Sequence, residues 1–113
     1  LDKIYIDEYT VFALMTHNYV YDKTMLHFLS QLTQIPYIGL LGPKKKFLRI
    51  LSEFEAEGRA LSESQLYNIY APIGLHIGAE TPEEIALSIV AEIKMVLSNK
   101  QGTSLRLTAD KIH

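Results

Sequence analysis

Two short apolar runs, each leading within a few residues into a helix-patterned segment, restrict this chain more than any other feature. Residues 9–15 (YTVFALM) and 37–41 (YIGLL) are β-branched, aromatic and aliphatic, with no polar alternation. Runs of this length and kind fit strands covered on both faces, as in a parallel sheet. Thr16, His17 and Asn18 follow the first run. Then comes a helix that Asp22 can cap, with Met25, Leu26, Phe28, Leu29 and Leu32 at helical spacing to about Gln34. Pro36 ends that segment. The second run turns at Gly42 and Pro43 straight into a helix carrying Phe47, Leu48, Ile50, Leu51 and Phe54, which Gly58 stops. Strand–helix–strand–helix with short links predicts an α/β fold, an open parallel sheet with right-handed crossovers flanked by helices.

The rest of the chain extends this pattern. Ser62 and Gln65 form a capping box for a short helix through Leu66 and Ile69. The stretch PIGLHIGAETPEEIALSIVAEI, residues 72–93, offers residues 75–77 as a third short strand. Thr81, Pro82 and Glu84 then give a helix start with cap, first-turn proline and capping box together. Ile85, Ile89, Ile93 and Val96 make its apolar stripe, and Glu92 falls on the edge of that stripe. Burying an unpaired charge is costly, so Glu92 must reach water, pair with a Lys or Arg, or hold a ligand. Residues 105–108 are expected to add an edge strand. Two or three parallel strands leave one sheet edge open to a partner or to further strands.

Composition narrows the function classes. With 113 residues, 48% apolar and 21% charged, the chain is expected to be one soluble domain over 1–113, with an approach segment 1–8 and a polar tail 98–113. A net charge of −2 argues against nucleic acid or an acidic membrane as partner. No apolar run reaches the length of a membrane span, and the start does not resemble a signal peptide. The absence of cysteine excludes disulfides, thiolate metal sites and a cysteine nucleophile, and it suits a cytoplasmic protein. The four histidines lack metal-ligand spacing, and GxGxxG, GxSxG and P-loop motifs are absent. The chain begins at Leu1 rather than Met, as an excerpt or processed piece would.

Ligands of open parallel sheets bind beyond the carboxyl ends of the strands. Thr16–His17–Asn18 and Gly42–Pro43–Lys44 occupy such ends and should share one rim. The helix after Pro43 is charged against its own dipole: Lys44, Lys45, Lys46 and Arg49 sit at its start, and Glu53, Glu55 and Glu57 at its end. Each misplaced charge costs at most about 0.3–1 kcal/mol, and an anion bound at the start would reverse that cost. The alternative is a solvated basic turn paired with nearby acids. His17 on its loop is a candidate for ligand contact or acid/base work, His76 a weaker one, and His27 should lie solvated on the polar side of its helix.

With MTHN at 15–18, YIGLLGPKKK at 37–46 and APIGLHIGAETPEEIALSIVAEI at 71–93, the chain resembles the C-terminal part of the XdhC/CoxI family over about residues 9–97. These are accessory factors for xanthine dehydrogenase and related molybdenum hydroxylases. The resemblance implies the second half of a Rossmann-like domain, whose glycine-rich first half has no counterpart here. It also implies a chaperone that binds the molybdenum cofactor and delivers it to a xanthine dehydrogenase-type hydroxylase without turnover. By that likeness the cofactor-binding positions are Thr16, His17, Asn18, Gly42, Pro43, Lys44, Lys45, Gly74, His76 and Gly78. Asn18 and His76 stand where the family often has Asp, whereas the lysines keep the basic character after Gly42. Two other readings stay open: an NAD(P)- or flavin-binding oxidoreductase on the same scaffold, and a protein-interaction domain. The open edge suggests a homodimer or association with a missing N-terminal segment.

Overall fold

The computed structural model describes residues 6–32 and 34–107. Strands β1 (Val11–Leu14), β2 (Tyr37–Leu40) and β3 (Ile69–Tyr70) form a parallel sheet in that order. The register sets Val11 against Tyr37, Leu14 against Leu40 and Ile38 against Ile69. The chain therefore has the open parallel α/β architecture expected from its strand–helix alternation.

Side chains alternate across the sheet, which sorts them into two layers. Leu14, Ile38, Leu40 and Ile69 meet α1 (Tyr19–Ser30) and α2 (Lys44–Ala56) through Leu26, Leu29, Ile50 and Phe54. The last four are fully buried, each contributing about 1.5–3 kcal/mol relative to exposure. On the other face Tyr37, Ile73 and Ile89 form a smaller core beneath α4 (Pro82–Leu97). The short helix α3 (Glu63–Tyr67) begins with the expected capping box of Ser62 and Gln65. α4 likewise begins with that of Thr81 and Glu84, with Pro82 as its first residue.

Several details differ from expectation. The third strand is Ile69–Tyr70, not residues 75–77, because the chain bends away from the sheet after Ile73. Residues 105–107 form a 3-10 turn rather than an edge strand, and residue 108 lies outside the described residues, as do residues 1–5 of the approach segment. α1 starts at Tyr19, where the Tyr21 amide donates to the side chain of its cap, Asn18, at 3.0 Å. Asp22 is thus not the cap; it lies one turn in and is fully buried. α1 also ends at Ser30, short of Gln34. His27 is half-buried rather than fully solvated: its ring meets the Phe54 ring edge-on, 5.0 Å between centroids. No helix among the described residues is long and apolar enough to cross a membrane.

Candidate functional site

The hydrogen bonds at the strand ends settle which loops face one another. Just beyond the paired residues, the Leu41 amide donates to the Leu14 carbonyl at 3.0 Å, and the Ile73 amide donates to the Leu40 carbonyl at 3.0 Å. The segments after β1, β2 and β3 therefore leave the sheet at one common edge, the edge where ligands of open parallel sheets bind.

An open cleft of about 530 Å³ lies at that edge. Its walls are Leu41 and Gly42 from the β2–α2 turn, residues 72, 73 and 75–80, and Ile85 and Ser88 of α4. Its volume falls within the roughly 300–1,000 Å³ typical of small-molecule sites. A more apolar cleft of about 400 Å³ adjoins it, between Met15, Leu41 and the Pro82–Val90 side of α4. At the amino ends of the strands a cavity of about 240 Å³ is lined by Ser30, Ile38, Gln65 and Asn68 among others, without a charged side chain.

The wall formed by residues 73–78 is fastened from α4. Glu92 is 8% exposed, and its Oε1 accepts the Tyr37 hydroxyl at 2.7 Å and the Gly74 amide at 2.9 Å. The Leu75 amide donates to the Ser88 carbonyl at 3.2 Å. Gly74 has φ +102, and a Cβ there would meet Ser88 Oγ at 2.5 Å, so no other residue fits that approach. Burial and the Glu92 hydrogen bond push the Tyr37 hydroxyl far above its ordinary pKa, which keeps it a donor. Its ring stacks on Tyr70, 4.6 Å between centroids.

On the other side of the turn, α2 begins at Pro43 without a side-chain cap. Its unfavourable charge pattern is partly compensated by α1. At its end Glu53 and Glu57 pair with Lys23 at 3.1 and 2.7 Å. Hydrogen bonds from Tyr19 and Lys23 hold the Glu53 carboxyl below its ordinary range, and those from Lys23 and Arg59 do the same for Glu57. At its start Lys46 folds back under Gly42 to the Leu41 carbonyl and to Asp22, each at 3.1 Å. Arg49 pairs with Glu53 at 3.1 Å and lies over the Tyr19 ring. Lys44 and Lys45 are exposed and form no ion pair among the described residues.

The family description "XdhC Rossmann domain" matches residues 2–93. The chain belongs to the XdhC Rossmann-domain family. It is 44% identical over 81 residues to a probable xanthine dehydrogenase subunit of Bacillus subtilis (strain 168), covering 72% of this chain and 22% of that protein. It is 40% identical over 68 residues to the "Uncharacterized protein YqeB" of Escherichia coli (strain K12), covering 60% of this chain and 12% of that protein. The chain thus spans under a quarter of the length of either relative.

In this XdhC-type domain the residues singled out in the sequence fall into three groups. Gly42, His76 and Gly78 line the cleft together, and Gly74 lies behind its wall with its amide turned to Glu92. Pro43, Lys44 and Lys45 form the adjoining start of α2. Thr16 and Asn18 are engaged locally: the Thr16 hydroxyl donates to Asp22 at 2.7 Å, and Asn18 caps α1. His17 is exposed near the same edge but is not a lining residue of the cleft. Sequence reasoning missed Glu80, Ile73 and Ser88 as cleft residues, since the cleft exists only where the bend after Ile73 packs on α4. It also did not foresee that Glu92 is bound by a tyrosine and an amide rather than by Lys or Arg.

Proposed function

We propose that this XdhC-family domain serves an accessory factor of a xanthine dehydrogenase-type molybdenum hydroxylase, holding the molybdenum cofactor for delivery to the apo-enzyme. The observation that carries the reading is the meeting, at one sheet edge, of the 530 Å³ cleft with a helix start whose cap is missing and whose first two lysines are unpaired among the described residues. The name of the Bacillus subtilis relative supports the choice of client class.

The residues present fit the cofactor's pterin and phosphate, not its metal. With no cysteine in these 113 residues, no thiolate of this chain could hold molybdenum. The uncapped amides of α2 and the Lys44 and Lys45 ammonium groups suit a phosphate. Glu80 and His76 on the facing wall offer hydrogen-bonding partners to the pterin's polar edge, and His17 offers another from the neighbouring loop. When bound, the cofactor brings the molybdenum centre on which the hydroxylase depends. Lys44 and Lys45 neutralise charge, the 73–78 wall restricts water, and the open mouth of the cleft allows release. The proposal includes a cytoplasmic protein that associates through the open β1 edge, as a homodimer or with further strands.

The test is cofactor retention by the complete protein carrying Lys44→Ala and Lys45→Ala. Retention should fall about tenfold or more, the scale expected for two charge-assisted contacts. Unchanged retention removes these lysines from the site. A thermal shift with NAD(P)H and none with a pterin phosphate would favour the oxidoreductase reading instead.

A further inference from the structure

Glu92 is a buried charge to which the cofactor reading gives no task. Its neighbours on the same side of α4 are Ile85, Ile89 and Val96, and an apolar residue of similar volume would often stabilise such a position as well or better. What a carboxylate can do there, and a leucine cannot, is accept. Oε1 takes both available donors, the Tyr37 hydroxyl and the Gly74 amide. Oε2 makes no hydrogen bond among the described residues, so the charge itself is not used in an ion pair.

The two donors differ in consequence. Tyr37 belongs to the fully buried middle strand and cannot move without the sheet. Gly74 belongs to the bend that leaves the sheet after Ile73, and beyond it His76, Ile77 and Gly78 are exposed. Within that exposed stretch, the turn bond among the described residues is Ile77 to the Leu75 carbonyl at 3.0 Å. The outer wall therefore has little of its own to hold it, and its position is inherited from its ends: Glu80, whose amide donates to Glu84 Oε1 at 2.9 Å, on the far side, and Gly74 and Leu75 on the near side. Those two residues are bound by Glu92 and Ser88, one helical turn apart on α4. α4 is itself pinned by its capping box and by the burial of Ile89.

We propose that Glu92 is a positioning residue: its Oε1 anchors the Gly74 amide so that residues 75–78 stand as the cleft wall, and the Tyr37 hydroxyl holds the carboxylate in place for that task. The inference concerns the wall and not its ligand, so it stands or fails independently of the molybdenum-cofactor reading.

Hydrogen exchange of the intact chain tests it, comparing residues 74–78 with β1 and β2 in the parent, Glu92→Leu, Glu92→Gln and Tyr37→Phe. Glu92→Leu strands the Gly74 amide and should speed exchange at 74–78 by about tenfold or more while β1 and β2 hold their protection. Glu92→Gln keeps an Oε1 acceptor for both donors and should return exchange to within about threefold of the parent. Tyr37→Phe leaves the Gly74 bond but frees the carboxylate, so it should give a rise of a few fold, again confined to 74–78, even if Glu92→Leu does not fold. Unchanged exchange at 74–78 in Tyr37→Phe, or no rescue by glutamine, overturns the inference. So does an equal rise across β1, β2 and the wall, since that is what a merely structural residue would give.

Discussion

Lys46 and Asp22, 24 residues apart on successive helices, are joined at 3.1 Å, and the carboxylate end of the pair is fully buried. Thr16 donates a second hydrogen bond to the same carboxylate at 2.7 Å, and Lys46 donates a second to the Leu41 carbonyl. The pair therefore ties the loop after β1 to the turn after β2 at the edge where the cleft opens. It also withdraws one of three consecutive lysines from solvent, leaving Lys44 and Lys45 at the helix start.

The two partners should not be equally costly to remove. Lys46→Ala leaves an ionised carboxylate buried with a threonine as its remaining partner, a loss of about 3–5 kcal/mol. Asp22→Asn keeps an acceptor for Thr16, and Lys46, which is 20% exposed, can turn toward water. That variant should lose no more than about 1–3 kcal/mol, the scale of one hydrogen bond to a charged group. Urea unfolding of both variants measures the difference, and equal losses would show that burial of Asp22 is not what sets the cost.

Acid should destabilise the domain in two steps. Burial against Phe54, reinforced by the Arg59 charge, lowers the His27 pKa below its ordinary 6.5 despite the nearby Glu57. The unfolded chain therefore binds this proton first. Stability is complete above about pH 6.5, declines as pH falls below it, and stops declining on this account once pH is under the folded value. Glu53, Glu57 and Glu84 are also held below their ordinary 4.5, so their contribution is lost at lower pH. Melting temperature against pH should show both declines, and His27→Gln should abolish only the upper one.

The elements most readable in the sequence are those whose signals are local. The apolar runs at β1 and β2 and the capping boxes of Ser62 and Thr81 needed nothing beyond neighbouring residues. Asn18 and Asp22 are both good capping residues, and part of what decides between them is distant: Lys46, 24 positions on, joins the nearby Thr16 in making a buried place for the Asp22 carboxylate. β3 is two residues long, too short for any periodicity, while the alternation at 75–77 that imitates a strand comes from the bend lining the cleft. His27 is placed by Phe54, 27 positions away in sequence, as the Glu92 site is by Tyr37, 55 positions away. At the candidate site, position along the strand ends was legible. Which side chains are already committed to one another was not.

A side chain at Gly39 in the middle strand should be destabilising. A Cβ there would strike the end of the Ile73 side chain, 2.6 Å from Cγ1, and approach Tyr37 Cε1 at 3.0 Å. Ile73 is buried and its amide is fixed to the Leu40 carbonyl, so relief has to come from its side chain turning toward the cleft that it lines. Gly39→Ala should cost about 1–3 kcal/mol by overpacking. Gly39→Ala with Ile73→Val, which shortens the clashing arm, should recover part of that loss relative to the sum of the two single changes. Strict additivity in denaturant unfolding would place the strain elsewhere.

The open side of β1 has a stronger consequence for assembly. Parallel strands are normally covered on both faces, yet α4 covers the β1 side only in part, with Val11 packed beneath it and Ala13 left outside. Ala13 is exposed, Met15 is 46% exposed, and Val90 across the apolar cleft is 63% exposed. Among the described residues β1 pairs only with β2, so the same strand also presents an unpaired row of backbone donors and acceptors. Neither feature alone demands a partner, but an apolar face beside a free edge is what an added strand and its covering layer would occupy. The isolated chain should therefore self-associate with increasing concentration in sedimentation velocity. Ala13→Lys with Val90→Lys should keep it monomeric at a small cost in stability, because both positions face solvent in the single chain. A parent chain that stays monomeric at high micromolar concentration would show that this face is tolerated bare, and the homodimer proposed above would fall with it.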